Sequence, residues 1–366
     1  MTRAVVTGAS GFLGGAVVHA LRSRGDDVVG LDRRRGPGVV LADTSRPGGW
    51  ERFLPGADLL VHAAAIGTGG FADPSPVAGP AVVGRDSAAL LDPDEVWRNN
   101  VDGTATVLAA ARRADIPRVV HLSSISALAG VDASPPAGPL AEDVEPPHTG
   151  NVLTDALAAA EREARIDSRA PWVVVARVGD AYGPRAGRWT LRPVALMRAG
   201  RFALVDGGRG LLSPIHVEDV AEGVLALAET KAALGQVVNL SGATAVPASA
   251  YFGQYARMLE LDGLPSVSAT VARGLAGLTG RSFLPAAGPR GGLTGRLASL
   301  ADPRVRFDIG AASVAELTRQ STFSIARIGE LAGWRPRFDL DAGMARTEQM
   351  LRERGLLGVR EPTRRG

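Results

Sequence analysis

The segment Thr7-Gly8-Ala9-Ser10-Gly11-Phe12-Leu13-Gly14 constrains the folding of this chain more than any other stretch. The apolar run Ala4 to Thr7 precedes it, and Phe12, Leu13, Ala16, Val17, Ala20 and Leu21 recur behind it at helical spacing up to Gly25. The first pattern predicts a short buried strand and the second an amphipathic helix, so the glycines join a strand to a helix. Gly8, Gly11 and Gly14 let the backbone turn tightly and approach a ligand closely. The free N–H groups and dipole of the new helix favour negative charge at that point, which suits the pyrophosphate of a dinucleotide.

Further apolar runs alternate with helical patterns along the chain. Val28 to Leu31, Val39 to Ala42, Leu59 to Ala64, Val119 to Leu122, Trp172 to Ala176 and Val237 to Leu240 read as strands. Val101 to Ala114, Leu153 to Ile166 and Val220 to Ala228 read as helices. Buried strands alternating with helices predict an α/β fold with a doubly wound parallel sheet and a smaller, discontinuous C-terminal substrate lobe. The expected division is 1–178 for the dinucleotide-binding domain, 179–215 for a first lobe segment, 216–243 for a return to the sheet, and 244–366 for the lobe and a C-terminal helix. Two stretches break the rhythm. Gly67 to Asp94 reads either as a functional lid or as disorder, and Gly274 to Pro303 as part of the lobe or its edge. Arg360 to Gly366 reads as a frayed tail.

Composition narrows the chemistry. The chain has no cysteine, which removes disulfides and thiolate catalysis, and Lys231 is its only lysine. Any mechanism that needs a lysine must use that residue. The 41 basic and 38 acidic residues leave a formal charge of +3, and the basic clusters Arg33 to Arg35 and Arg364 to Arg365 lack interleaved aromatics, so nucleic acid is not expected. The histidines do not fall at ligand spacing with acidic partners, so no metal is expected. Glycines interrupt the apolar N-terminus and no segment has transmembrane length, so neither a signal peptide nor a membrane partner is read and the cytoplasm is the default location. The expected partners are a small-molecule substrate and, as an open option, a second copy in a homodimer.

Asp32 follows the second strand, where a carboxylate accepts hydrogen bonds from the adenosine ribose hydroxyls. A carboxylate there repels the extra phosphate of NADP. Arg33 and Arg34 offset that in part, so NAD is the expected cofactor and NADP the less favoured one. At this point the sequence resembles the extended short-chain dehydrogenase/reductases, a Rossmann family that includes NAD-dependent epimerases and dehydratases and 3β-hydroxysteroid dehydrogenase-like enzymes. The resemblance rests on the glycine turn, His62-Ala63-Ala64-Ala65, Asn100-Val101-Asp102-Gly103-Thr104, Arg118 to Ser124, Arg177 to Arg185 with Tyr182-Gly183-Pro184, His216 to Val220, and Leu331 to Gly355. It implies cofactor contacts from Gly8, Ser10, Gly11, Phe12, Leu13, Gly14, Asp32, Arg33, Asp43, Ala63, Ala64 and Asn100, with Asp43 beside the adenine.

One family motif is rewritten. Members usually carry Tyr-x-x-x-Lys in the helix after the serine strand, and the best register places Asn151 on the tyrosine and Asp155 on the lysine. Asparagine cannot ionise, and Asp155 reverses the sign of the charge expected beside the nicotinamide. At an effective dielectric near 20, one unit charge about 5 Å away is worth roughly 3 kcal/mol, which would favour the oxidised cofactor. The position of the family's catalytic Ser/Thr holds Ile125. On strand alternation its neighbours Ser124 and Ser126 share a face that points either at the site or away from it, and Ser124 is the preferred candidate on the expectation that the strand bends at its end.

Three functional readings follow. In the first, an NAD(P)-dependent enzyme keeps redox chemistry and moves the acid/base role to Asp155, His148, Ser124, Asp180 or Tyr182. In the second, a non-redox isomerase, cyclase or lyase holds NAD⁺ as a fixed part of its site. There, burial would raise the pKa of Asp155 and the cationic nicotinamide would lower it. The third is a catalytically silent sensor or scaffold. Arg188, Arg192, Arg209 and His216 are candidates to meet an anionic substrate, against the simpler reading of surface arginines in an arginine-rich chain.

Overall fold

In the computed structural model the described residues are 1–66, 92–131, 138–166, 173–200, 202–279 and 311–357. Elements run in the order β1 (Arg3–Thr7), α1 (Phe12–Ser23), β2 (Asp27–Asp32), β3 (Val39–Leu41), β4 (Leu59–His62), α2 (Pro93–Trp97), α3 (Gly103–Arg113), β5 (Val119–Ser124), α4 (Val152–Arg165) and β6 (Val173–Val178). There follow β7 (Asp180–Tyr182), α5 (Arg192–Arg198), β8 (Leu204–Val205), β9 (Leu211–Leu212), β10 (Pro214–His216), α6 (Val217–Glu229) and β11 (Val237–Leu240). The chain continues through β12 (Val246–Pro247), α7 (Ala248–Met258), β13 (Ser266–Val267), α8 (Ala269–Thr279), α9 (Ala311–Leu317), α10 (Ala326–Ala332) and α11 (Leu340–Glu353).

Seven strands form one parallel sheet in the order β11-β6-β5-β4-β1-β2-β3. The order reverses between β1 and β4, and in a doubly wound sheet ligands bind beyond the carboxyl ends of the strands at such a switch point. The strands read as nearly continuous apolar runs because both faces are covered. On one face α1 and α6 pack Val17, Leu21, Val220 and Val224 against Val6, Val61 and Val120. On the other, α3 and the Trp50 to Ala57 turn pack Val107, Leu108, Trp50 and Leu54 against Val5, Leu60 and Val119.

Between β6 and β11 the chain leaves the sheet, and that excursion packs with the C-terminal helices around Tyr182, Met197, Tyr251, Tyr255 and Met344. The short strand pairs β7–β10, β8–β13 and β9–β12 tie this lobe together. Of the two arrhythmic stretches, 67–91 and 280–303 lie outside the described residues, as does the tail from 358. What is described moves one boundary of each: Asp92 caps α2 by accepting from the Asp94 N–H, and residues up to Thr279 belong to α8.

Candidate functional site

The glycine turn sits where the sheet order reverses, and its packing explains its composition. Gly8 has φ +69°, and a Cβ there would lie 2.6 Å from the carbonyl oxygen of Ala63 and 2.8 Å from the nitrogen of Ala64. The β1 turn and the β4 loop therefore touch backbone to backbone. Because Ala63 folds over Gly8, the fourth strand stops at His62 rather than running to Ala64. A Cβ on Gly14 would fall 2.2 Å from the Gly8 carbonyl oxygen. The first turn of α1, which includes Phe12, Leu13 and Gly14, has no acidic residue and no side-chain cap, since Gly11 occupies the N-cap. Its amides are available to an anion, the feature that helix N-termini offer to phosphate groups.

Asp32 accepts from the Ser10 N–H at 3.0 Å and from the Arg34 N–H at 2.8 Å. The carboxylate thus ties the second strand to the glycine turn and keeps lone pairs for a ligand. Arg34, with Nε 3.8 Å from Asp32, is the arginine beside it, whereas Arg33 pairs with Glu95 at 3.4 Å. Asp43 is held in its own turn by Ser45 and by both Nε and Nη2 of Arg46. Burial works against its charge, but those hydrogen bonds outweigh burial and keep the carboxyl below its usual value.

Asn100 is buried and grips the backbone of Ile66 in both directions: its Oδ1 accepts from the Ile66 N–H at 2.8 Å and its Nδ2 donates to the carbonyl at 3.1 Å. It shapes the loop carrying Ala63 and Ala64. A chain of hydrogen bonds continues from there. Thr104 Oγ1 donates to the Asn100 carbonyl at 2.6 Å and lies 3.1 Å from His62 Nε2. Thr7 Oγ1 accepts from the Ala64 N–H and lies 2.7 Å from His62 Nδ1. Only one assignment satisfies every member: Thr7 donates to Nδ1, and Nε2 carries the proton and donates to Thr104. Burial, reinforced by neighbouring His121, lowers the His62 pKa well below the ordinary imidazole value and keeps the ring neutral, as the assignment requires.

At the amino end of α4 the residues expected to replace the tyrosine and lysine carry structural bonds. Asn151 is the N-cap, its Oδ1 accepting from the Leu153 and Thr154 N–H groups. Asp155 folds back on the preceding loop, accepting from the Thr149 N–H at 2.7 Å, Thr149 Oγ1 at 2.9 Å and the Gly150 N–H at 3.0 Å. His148 Nδ1 is 2.9 Å from Asp155 Oδ2, while its ring is 85% exposed. The pKa of Asp155 is lowered: burial opposes its charge, but the Thr149 and Gly150 hydrogen bonds and His148 outweigh burial.

The expected common face of Ser124 and Ser126 does not form. The strand ends at Ser124 and coils into a 3-10 turn over Ile125–Leu128, so alternation no longer applies. Ser124 Oγ caps that turn by accepting from the Ser126 N–H, and Ser126 Oγ donates to Glu316 Oε1 at 3.1 Å.

Beside that turn lies a cavity of about 420 Å³, walled by the 125–131 segment, Arg273, and 315–323 of the lobe. Glu316 also pairs with Arg188, and Arg319 donates to Asp180 at 2.6 Å. Of the other substrate-facing candidates, Arg209 is exposed and Arg192 opens α5. His216 is a buried N-cap of α6, with a pKa lowered to about 4 by burial. Tyr182 is buried, and desolvation pushes its hydroxyl pKa far above the ordinary phenol value, which makes it a poor proton carrier. Arg273, Glu316, Arg319 and Phe323 were missed in the sequence because no local pattern marks residues that meet across the lobe. Among the described residues no group of three or more His, Cys, Asp or Glu is arranged to hold a metal, and no helix is long and apolar enough to cross a membrane.

Comparison with known proteins agrees with this architecture. A ketoreductase from Stigmatella aurantiaca, named for a 4-hydroxy-2-methyl-3-oxo-4-farnesyl-3,4-dihydroquinoline-1-oxide, is 29% identical over 360 residues, covering 90% of this chain and 97% of its own. A 3-diazoavenalumate denitrifying reductase from a Streptomyces species is 32% identical over 288 residues, covering 75% and 87%. Among solved structures, a dTDP-glucose 4,6-dehydratase double mutant from Streptomyces venezuelae with NAD bound superposes with a TM-score of 0.67 at 21% identity, covering 97% of this chain and 98% of that one. A family model described as the NAD dependent epimerase/dehydratase family matches residues 4–241. On that match and the 32% relative, the chain belongs to the NAD-dependent epimerase/dehydratase family.

Proposed function

We propose that this protein is an NAD-dependent oxidoreductase acting on a small organic molecule, in which His148, oriented by Asp155, moves the proton that a tyrosine moves elsewhere in the family. The observation that carries this reading is the 2.9 Å contact between His148 Nδ1 and Asp155 Oδ2 at the amino end of α4. In a βαβ crossover the helix starts at the carboxyl edge of the sheet, the edge that also carries the glycine turn.

NAD, when bound, supplies the hydride donor or acceptor. The first-turn amides of α1 hold the pyrophosphate, Asp32 takes the ribose hydroxyls, and Asp43 borders the adenine. Asn100 acts indirectly by fixing the loop of Ala63 and Ala64 through Ile66. Asp155 stays ionised because Thr149 and Gly150 donate to it, so it pins the Nδ1–H of His148 and leaves Nε2 to exchange a proton with substrate. Both reductase names among the relatives support redox chemistry over a silent scaffold.

The test follows oxidation of NADH against a panel of aldehydes, ketones and conjugated acids. Wild type turns over at least one of them. His148→Ala loses about 100-fold or more in kcat with dinucleotide affinity unchanged, the usual scale for a missing general acid. An unchanged kcat in His148→Ala removes the proposed proton carrier. Turnover with no net cofactor oxidation and no deuteride transfer would replace this reading with the non-redox one.

A further inference from the structure

The cavity beside the β5 turn differs in kind from the dinucleotide groove. Ile125, Leu128, Val131 and Phe323 give it apolar walls, and its volume of about 420 Å³ suits a compact organic molecule. Its charges do not cancel. Glu316 is neutralised by Arg188, and Arg319 shares Asp180. Arg273, exposed to solvent, lines the cavity and makes no ion pair or hydrogen bond with the described residues. Among the described residues the net excess at the cavity wall is one positive charge.

A second observation points the same way. Among the described residues Arg319 Nε is buried and has no acceptor, although the neighbouring Nη2 is bonded to Asp180. A buried cationic N–H without an acceptor is costly, and it is satisfied if a ligand brings one. Ser126 and Glu316 are already bonded to each other, so they define the wall and do not compete for that ligand.

We infer that this cavity binds an organic monoanion with a flat apolar body, its anionic group seated between Arg273 and the Nε–H of Arg319. The inference deepens the oxidoreductase reading and rests on it only in calling the bound molecule the substrate. The body lies against Leu128, Val131 and Phe323, with the end opposite the anion next to Ile125, where the chain leaves β5 at the carboxyl edge of the sheet. A carboxylate therefore serves as the handle by which a hydrophobic molecule is oriented.

The test uses 1-pyrenebutyrate as the anion and 1-pyrenebutanol as its neutral counterpart, titrated by fluorescence into the full-length protein. The acid binds at least tenfold tighter than the alcohol. Arg273→Gln removes that preference without weakening the alcohol. Arg319→Lys keeps a cation beside Asp180 but lacks Nε–H, and it too weakens the acid selectively. Equal affinities for acid and alcohol in the wild type overturn the inference, as does an acid preference untouched in both variants. Displacement of the acid by uridine diphosphate at equal concentration would overturn the ligand class, since the cavity would then prefer a nucleotide. Acid-selective binding with no turnover would count against the oxidoreductase reading alone, and His148-dependent turnover without acid preference would count against this inference alone.

Discussion

A methyl group on Gly14 would lie 2.2 Å from the Gly8 carbonyl oxygen, whereas one on Gly15 meets nothing closer than the Ala9 oxygen at 3.3 Å. The two glycines are adjacent in sequence and both helical, so intrinsic propensity would favour alanine at either, by up to about 1 kcal/mol. Only geometry separates them. In Gly14→Ala the obstacle is backbone, which cannot rotate away, and the turn must open at the point proposed above to hold the pyrophosphate. Gly14→Ala is therefore expected to weaken NAD binding at least tenfold by titration calorimetry, and Gly15→Ala to weaken it far less. Equal affinities in the two variants would show that the turn is not the dinucleotide cradle. The same attention to bonds separates His148 from Asn151. Asn151 spends its side-chain oxygen on two helix amides, while His148 keeps a nitrogen exposed beyond a fixed carboxylate.

Helix α4 is anchored to the sheet by a buried ion pair. Arg177 on β6 donates through Nε and Nη2 to Glu161 at 2.9 to 3.1 Å, and Ser123 on β5 donates to the same carboxylate at 2.5 Å. Both charged side chains are essentially inaccessible, at 0% and 1% exposure. A buried pair of this kind adds little over an apolar replacement, but breaking it strands a charge. Glu161→Gln is expected to cost about 3 to 5 kcal/mol in denaturant unfolding. The double variant Glu161→Leu/Arg177→Met is expected to be less destabilised than the single one, and the reverse order would show that the pair itself supplies the stability. Such an anchor shows where reading from sequence stops. The elements of the sheet were legible because their signals are local: apolar runs for β1, β2, β5 and β11, and 3.6-residue spacing for α1 and α4. The glycine turn with Asp32 was legible because backbone close approach requires glycine. Element ends were not, since β4 stops where Ala63 meets Gly8, and β5 coils after Ser124 and sends Ser124 and Ser126 to different partners. The cavity was illegible, because Ser126 and Glu316 meet across 190 residues.

At the scale of the molecule, the charge states of buried histidines set how the fold responds to acid. His121 and His216 have pKa values lowered to about 4 by burial, and burial together with His121 takes His62 well below its usual value. In the unfolded chain all three titrate near 6.5. As pH falls below that value, the unfolded state takes up protons that the folded state refuses, so stability declines down to about pH 4. Each histidine contributes a slope of about 1.4 kcal/mol per pH unit. Asp43 and Asp155, whose pKa values are lowered, keep their contribution throughout this window and lose it only below the ordinary aspartate value. Asp219 opposes the trend modestly, because burial raises its pKa and it gains a proton in the folded state first. His121 isolates the effect. Among the described residues its Nδ1 has no hydrogen-bond partner, and its ring stacks on His62 at 5.3 Å, so an apolar side chain of similar size removes a titrating group without stranding a bond. His121→Leu should therefore flatten the dependence of unfolding free energy on pH between about 6 and 4.5 by roughly 1.4 kcal/mol per pH unit. Urea unfolding across that range measures it. A slope identical to wild type would mean that His121 is already protonated in the folded core, and that the paired rings of β4 and β5 are held apart by charge rather than packed as neutral neighbours.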